Sequence, residues 1–180
     1  MLEALRPGET PEWVAGPLKS TERARCDDWV RERARGVPLQ HLLGVAPFYG
    51  LTLHVGPGVL VPRPETERLV ELVLKDLEHH DHPRVLDVGT GSGAVAFAIK
   101  SERPDATVMA TDRSPDALAW ARRNAAALGL EVDIVPSDLL DSPEAASFAE
   151  ACDVLVSNPP YLPDSDRGTL PPEVTHDPDE

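Results

Sequence analysis

The feature that most constrains the fold is a regular alternation of short apolar segments with helical segments in the second half of the chain. Four segments have the length and composition of buried strands: residues 84–88, 106–111, 132–135 and 153–157. Helical patterns follow the first three of them, at residues 94–100, 116–128 and 143–150. Strands that are joined by helical crossovers pair in parallel, with helices on both faces of the sheet. We therefore predict an α/β fold built on about four parallel strands.

Two further helices are predicted in front of this series. Residues 21–35 are rich in Arg, Glu and Ala, and Gly36 is a suitable stop. Residues 67–78 place apolar side chains on one face, and either Glu65 or Thr66 is expected to cap this helix.

The stretch between these two helices has the pattern of a β-hairpin. Apolar Leu51, Leu53 and Val55 alternate with polar residues, and the Gly-Pro-Gly sequence at residues 56–58 leads into a second apolar run at residues 59–61. This pattern predicts a hairpin that turns at residues 56–58. We accordingly divide the chain into a small N-terminal helical domain (residues 1–44), a β-hairpin linker (45–62) and a domain that holds the sheet (63–180).

Composition argues against several classes of protein. The chain carries 31 Asp and Glu residues against 17 Lys and Arg residues, and this net charge of −14 disfavours binding to nucleic acid through many phosphates. Cys26 and Cys152 lack metal-site spacing, and the histidines of residues 79–82 suit the C-terminal dipole of a helix, so no metal site is expected. The N-terminus lacks the apolar core of a secretory signal, and residues 88–99 are too few to cross a bilayer. We expect a cytoplasmic protein that does not associate with membranes.

A glycine-rich turn joins the first strand of the series to its helix. It contains Gly89, Thr90, Gly91, Ser92 and Gly93, and Asp87 precedes it in the strand. Glycine permits positive φ and lets a ligand approach the backbone without meeting a Cβ. The G-x-G-x-G spacing differs from the G-x-G-x-x-G of dinucleotide sites, and Asp87 would repel a pyrophosphate but suit a cationic amino group. Asp112 ends the second strand, where an acid binds both ribose hydroxyls, so the pattern predicts a site for S-adenosylmethionine.

A stiff corner follows the fourth strand at the same edge of the predicted sheet. It consists of Asn158, Pro159, Pro160 and Tyr161. The two prolines fix the backbone and remove N–H donors. The Asn158 side-chain oxygen and the Pro159 carbonyl can accept both N–H groups of a planar amide or amine, and Tyr161 can stack on its plane. We expect this corner to aim a weakly nucleophilic nitrogen at a methyl donor.

These motifs resemble those of class I S-adenosylmethionine-dependent methyltransferases that modify planar amino groups. Within that class the chain is similar to the release factor glutamine methyltransferases. The family marker is the Val-Pro-Arg-Pro-Glu-Thr-Glu run at residues 61–67, and further matches lie at residues 38–44, 48–50 and 170–174.

The resemblance implies a Rossmann-like methyltransferase sheet and assigns site residues. S-adenosylmethionine would be bound by residues 89–93 together with Asp87, Asp112, Asp138 and Leu139, of which Leu139 would lie beside the adenine. The corner at residues 158–161 would hold the target glutamine as the catalytic residues.

The resemblance also implies a reaction and a partner. The family methylates N5 of the glutamine side-chain amide in the Gly-Gly-Gln motif of class 1 peptide chain release factors. We therefore expect a release factor as the protein substrate, no direct binding of nucleic acid, and a monomer. Family members continue beyond residue 180 with further strands. We expect a C-terminally truncated sheet with its strands in the order 3-2-1-4 and strand 4 as an unpaired, apolar edge.

Three alternatives stay open. An adenine-N6 DNA methyltransferase shares the Asn-Pro-Pro-Tyr sequence, but it flips its target base and needs a basic recognition surface. A ribosomal-protein glutamine methyltransferase is distinguished only by the run at residues 61–67. An inactive fragment would bind S-adenosylmethionine and transfer nothing.

Overall fold

The computed structural model of the protein describes residues 19–159. Its helices and strands follow in chain order: α1 (Ser20–Ala34), α2 (Leu39–Leu43), β1 (Val45–Phe48), β2 (Leu51–His54), α3 (Glu67–Asp76), β3 (Arg84–Val88), α4 (Ala94–Glu102), β4 (Thr107–Asp112), α5 (Pro115–Leu128), β5 (Asp133–Pro136), α6 (Pro143–Ala149) and β6 (Val154–Ser157). Short 3₁₀ turns at Pro64–Thr66 and Leu77–His79 flank α3. The four predicted strands and the helices between them are all present.

The strands β3 to β6 form one parallel sheet in the order β5-β4-β3-β6. This is the predicted order 3-2-1-4. The central strand β3 is buried on both faces, which explains why its sequence is a nearly continuous apolar run rather than an alternating one. In the edge strand β6, Leu155 is 49% exposed.

Helices cover both faces of this sheet, as predicted for a parallel α/β fold. On one face α3 and α4 pack against Val85, Val108 and Val156. The apolar stripe of α3 and the turn after it is buried as expected, with Val70 and Val73 inside. On the other face Leu86, Val88 and Met109 pack against Phe148 of α6.

The hairpin exists, but the predicted position of its turn is wrong. Strands β1 and β2 pair antiparallel and turn at Tyr49 and Gly50, where φ is 46° and 76°. Positive φ at both central residues is the requirement of a type I′ hairpin turn, and this pair meets it. Residues 55–61 are not a strand, because Val55, Val59 and Val61 instead pack on α5.

The predicted cap of α3 is also corrected. Neither Glu65 nor Thr66 caps the helix with its side chain, because both lie within a 3₁₀ turn whose residues are already helical. The side chain of Glu67 reaches back to the hairpin instead, and its Oε1 accepts the Tyr49 N–H at 2.8 Å. The start of α3 is therefore tied to the hairpin turn.

Candidate active site

The predicted site residues that the structure describes lie at one edge of the sheet, where parallel strands end. The glycine loop, residues 89–93, follows β3, and Asp112 is the last residue of β4. Asp138 and Leu139 follow β5, while Asn158 and Pro159 follow β6. Pro160 and Tyr161 lie outside the described residues. Ligands of open α/β sheets bind at this edge.

The glycine loop is held by backbone hydrogen bonds and needs its last glycine. The N–H groups of Gly89 and Thr90 both donate to the Thr111 carbonyl, at 2.8 and 2.9 Å. The three glycines have φ of 73°, 57° and 84°. A Cβ on Gly93 would lie 2.0 Å from Cε2 of Phe97, whereas a Cβ on Gly89 would meet nothing within 4 Å. The loop is thus fixed on its inner side and open at Gly89.

Asp112 links the end of β4 to the glycine loop. Its Oδ2 accepts the Gly91 N–H at 2.8 Å, and its Oδ1 accepts the Ser114 N–H at 2.9 Å. A carboxylate has about four lone-pair sites, so each oxygen keeps acceptor capacity. The side chain is only partly buried. The binding of ribose hydroxyls by Asp112 stays a prediction, and this geometry leaves room for it.

Asp87 lies beneath the glycine loop rather than on its open side. It is 2% exposed, and its Oδ2 accepts the Thr90 hydroxyl at 2.7 Å and the Ala96 N–H at 3.2 Å. The pKa of this carboxyl is raised to about 6, chiefly by burial and to a smaller extent by the charge of Asp112, and the two hydrogen bonds partly offset that rise. The side chains of Thr90 and Ser92 are buried too. This part of the loop therefore presents backbone to a ligand.

The segment after β5 contains an exposed apolar residue in an unusual conformation. Leu139 has φ of 51° and its side chain is 67% exposed. Left-handed backbone is rare for such a residue and marks functional sites more often than others. Asp138 is exposed, and its carbonyl accepts the Asp141 N–H at 3.0 Å. Contact of Leu139 with an adenine stays a prediction.

The corner after β6 is tied to β3 and to the start of α3. The Ser157 hydroxyl donates to the Val88 carbonyl at 2.8 Å. The Asn158 Nδ2 donates to Oγ1 of Thr66 at 3.5 Å. Thr66 belongs to the run at residues 61–67, so this run lies beside Asn158, a contact that the sequence did not predict.

One polar residue at the site escaped the sequence analysis. Asn124 in α5 is completely buried and hydrogen-bonds to both the end of β2 and the glycine loop. The signal that could have revealed it is a polar residue on the face of α5 that also carries Ala117 and Ala121.

The described part of the chain contains neither a membrane-spanning helix nor a metal-binding cluster. Within residues 19–159, no helix combines the length and apolar character that a membrane span requires. Across these residues, no group of three or more His, Cys, Asp or Glu side chains is arranged to hold a metal ion.

Comparison with known families agrees with this geometry. Residues 52–170 match the family model of the methyltransferase small domain. The chain belongs to the methyltransferase small domain family. That assignment and the sheet order confirm the predicted Rossmann-like methyltransferase fold.

Curated relatives agree with the narrower resemblance. The release factor glutamine methyltransferase of Deinococcus radiodurans is 51% identical over 156 residues, which cover 87% of this chain and 54% of the relative. The Neisseria gonorrhoeae protein of the same name is 46% identical over 145 residues, covering 81% and 52%, and the Escherichia coli protein is 42% identical over 162 residues, covering 89% and 57%. The chain spans about half the length of the curated relatives it matches.

A solved structure shows the same fold. The 16S rRNA N2 G1207 methyltransferase RsmC of T. thermophilus, in complex with AdoMet and guanosine, superposes with a TM-score of 0.54 at 27% identity. The match covers 66% of this chain and 32% of that chain.

Proposed function

We propose that this chain carries the cofactor site and the amide-holding corner of a release factor glutamine methyltransferase. The observation that carries the proposal is the meeting of the glycine loop, Asp112 and Asn158 at the ends of three neighbouring strands. The relatives of 42–51% identity that bear this name support the choice of substrate. The substrate is then the glutamine of the Gly-Gly-Gln motif in class 1 release factors, methylated at N5.

The residues of the site fit S-adenosylmethionine. The molecule has a cationic sulfonium and amino group and no phosphate. The site offers the partly buried carboxylate of Asp112 beside the glycine loop, with the buried Asp87 beneath the loop. The hydrogen bonds described for both carboxylates come from uncharged N–H and O–H groups, so a cationic ligand would improve their electrostatic environment. Bound there, S-adenosylmethionine supplies an electrophilic methyl group. Asp112 would accept the ribose hydroxyls, and Leu139 would cover the adenine.

Asn158 would orient the substrate amide. Because its Nδ2 donates to Thr66, its Oδ1 is turned toward the other side and can accept one N–H of the substrate. The Pro159 carbonyl can accept the second, with Pro160 and Tyr161 completing the corner. An amide nitrogen is a weak nucleophile, so holding it in line with the methyl donor provides most of the catalysis. The nitrogen then loses one proton, which passes to solvent.

The remaining expectations belong to the same proposal. Residues 1–44 would recognise the release factor. Residues 45–62 would link them to residues 63–180, which would catalyse methyl transfer. The acidic net charge of −14 supports a protein substrate over DNA or RNA. A monomer in the cytoplasm is expected.

The test is methyl transfer to a purified release factor, with labelled S-adenosylmethionine and the wild-type chain. We expect label on the glutamine of the Gly-Gly-Gln motif. Asn158→Ala should lower transfer by about 100-fold or more and leave cofactor affinity unchanged, because the amide clamp acts only on the substrate. Leu155→Ala, at an exposed position on the strand that precedes Asn158, is the control and should change neither quantity.

Other outcomes decide against the proposal or part of it. Full transfer by Asn158→Ala would remove the amide clamp. Label on a ribosomal protein or on DNA adenine, and not on the release factor, would assign one of the other substrates. Cofactor binding with no transfer to any of them would identify a non-catalytic cofactor-binding chain.

A further inference from the structure

Asn124 uses its whole side-chain amide to join two separate segments. Its Oδ1 accepts the His54 N–H at 2.7 Å, and its Nδ2 donates to the His54 carbonyl at 3.0 Å. The same Nδ2 donates to the Ser92 carbonyl in the glycine loop at 2.9 Å. Asn124 therefore pairs with the last residue of β2 as a neighbouring strand would, and at the same time holds the loop.

This arrangement is specific rather than a general packing contact. Asn124 is 0% exposed, and a buried amide is costly unless its hydrogen bonds are made. Its neighbours on the same face of α5, Ala117 and Ala121, are small and apolar. An apolar side chain at position 124 would leave the polar groups of His54 and Ser92 without this partner.

The segment that begins at His54 continues across α5 to the amide-holding corner at Asn158. We call residues 54–66 the bridging segment. Gly56 lies against Trp120, because a Cβ there would be 2.5 Å from Cζ2 of the indole, and the Trp120 Nε1 donates to the Pro57 carbonyl at 3.1 Å.

The far part of the bridging segment reaches both halves of the site. A Cβ on Gly91 would lie 3.8 Å from Cγ2 of Val59, which places Val59 against the glycine loop. The last residue, Thr66, contacts the Asn158 amide. The bridging segment thus touches the cofactor loop and the amide-holding corner.

We propose that Asn124 is a positioning residue that sets the glycine loop directly and the Asn158 corner through the bridging segment. The inference rests on the proposed function of this site as a methyl-transfer centre. In that role Asn124 touches neither cofactor nor substrate. It fixes the separation between the groups that do.

The first test is amide hydrogen exchange of the chain without cofactor. In Asn124→Ala the His54 amide and the amides of residues 89–93 should exchange about tenfold faster or more, because their shared tether is gone. Val108→Ala removes buried volume at the distant start of β4 and is the matched control. We expect it to lower the melting temperature and leave those amides protected.

Asn124→Asp keeps one of the two bonds to His54 and removes the bond to the loop, and it serves if the alanine variant does not fold. The acid has nearly the same shape and keeps the acceptor for the His54 N–H, but it turns an oxygen toward the carbonyls of His54 and Ser92. We expect the loop amides to lose protection and the His54 amide to keep it. Unchanged exchange in the loop in both variants would overturn the proposal.

The second test is the affinity for S-adenosylmethionine, measured far below the melting temperature of every variant. A merely structural role would leave the affinity of the folded protein unchanged. We expect Asn124→Ala and Asn124→Asp to weaken it about tenfold or more, and Val108→Ala to leave it as in the wild type. Wild-type affinity in the Asn124 variants would overturn the positioning role. Failure of the wild type itself to bind would overturn the proposed function, and exchange alone would then decide the role of Asn124.

Discussion

Carboxylates at the two edges of the parallel sheet have pKa values shifted in opposite directions. At the amino-terminal edge, Asp105 pairs with Arg103 through two hydrogen bonds of 2.8 and 2.9 Å. The guanidinium holds the pKa of Asp105 far below its usual range. At the carboxyl edge, Asp87 accepts hydrogen bonds from a hydroxyl and a backbone N–H, and burial raises its pKa to about 6.

This difference distinguishes an edge whose carboxylate is neutralised within the chain from the edge at which we propose that a cationic ligand binds. The Arg103–Asp105 pair satisfies its charge within the chain. Asp112 lies close enough to Asp87 for its negative charge to disfavour the ionisation of Asp87. A cationic ligand would relieve this repulsion. Ionised Asp87 therefore lowers the stability of the carboxyl edge, a cost that is common where a protein binds a ligand.

The largest effect is expected from a glycine comparison across the two edges. Gly93 in the glycine loop and Gly129 at the end of α5 both have positive φ, but a Cβ on Gly129 would meet nothing within 4 Å. Gly129→Ala should cost about 1 kcal/mol of unfolding free energy from backbone strain alone. Gly93→Ala adds a clash with the buried Phe97 and should cost about 3 kcal/mol or more. Urea unfolding measures both values.

Equal costs for the two glycine variants would contradict the account of the loop. They would show that Phe97 moves aside without penalty. The glycine loop would then owe its sequence to φ alone.

The next effect is a pH-dependent gain in stability from Asp87→Asn. The folded-state pKa of about 6 exceeds the unfolded value of 3.8, so ionisation of Asp87 destabilises the fold. This destabilisation is absent below pH 3.8 and reaches its full size above about pH 6. The amide keeps an acceptor for Thr90 and Ala96 and cannot ionise. Relative to the wild type, the variant should gain up to about 3 kcal/mol between pH 4 and pH 8. Thermal melts across this range measure it.

If the difference in stability between the variant and the wild type were the same at pH 4 and at pH 8, ionisation of Asp87 would not destabilise the fold. The same variant should bind S-adenosylmethionine more weakly at pH 8, because an anionic group of the site is lost.

The smallest effect is expected at the amino-terminal edge and has the opposite sign. Asp105 has a lowered folded-state pKa, so its contribution to stability is present above pH 3.8 and is lost as the pH falls through its folded-state pKa. Asp105→Asn should lower the melting temperature slightly at pH 7, since the pair is partly exposed, and the difference should shrink in acid. Melts at pH 7 and pH 3 test this. A deficit that grows in acid would refute the assignment.

The elements that the sequence predicted well are those whose signals are local. The strand β3, its glycine loop and the Ser114-capped helix α5 each carry their start, apolar pattern and stop within a few residues. The hairpin turn predicted in the bridging segment was wrong because the Gly-Pro-Gly sequence is typical of a turn. Gly56 instead lies against the indole of Trp120, which leaves no room for a Cβ and is distant in sequence.

The same limit applies to the site. The position of Asp112 at the carboxyl end of a strand, where sheets of this kind bind ligands, was predictable from the strand pattern, and its role stays a prediction. The tether made by Asn124 was not, since its partners His54 and Ser92 lie in other parts of the chain. A single polar residue in a helix does not identify its partners.

Cofactor binding at the carboxyl edge can be measured by calorimetric titration of the chain with S-adenosylmethionine, for the wild type and for Asp112→Ala. We expect one site in the wild type and an affinity lower by about tenfold or more in the variant, because hydrogen bonds to a charged group are lost. Asp105→Ala, at the opposite edge, should bind as the wild type does. No binding by the wild type, or equal affinity in Asp112→Ala, would contradict the claim that the carboxyl edge holds the cofactor.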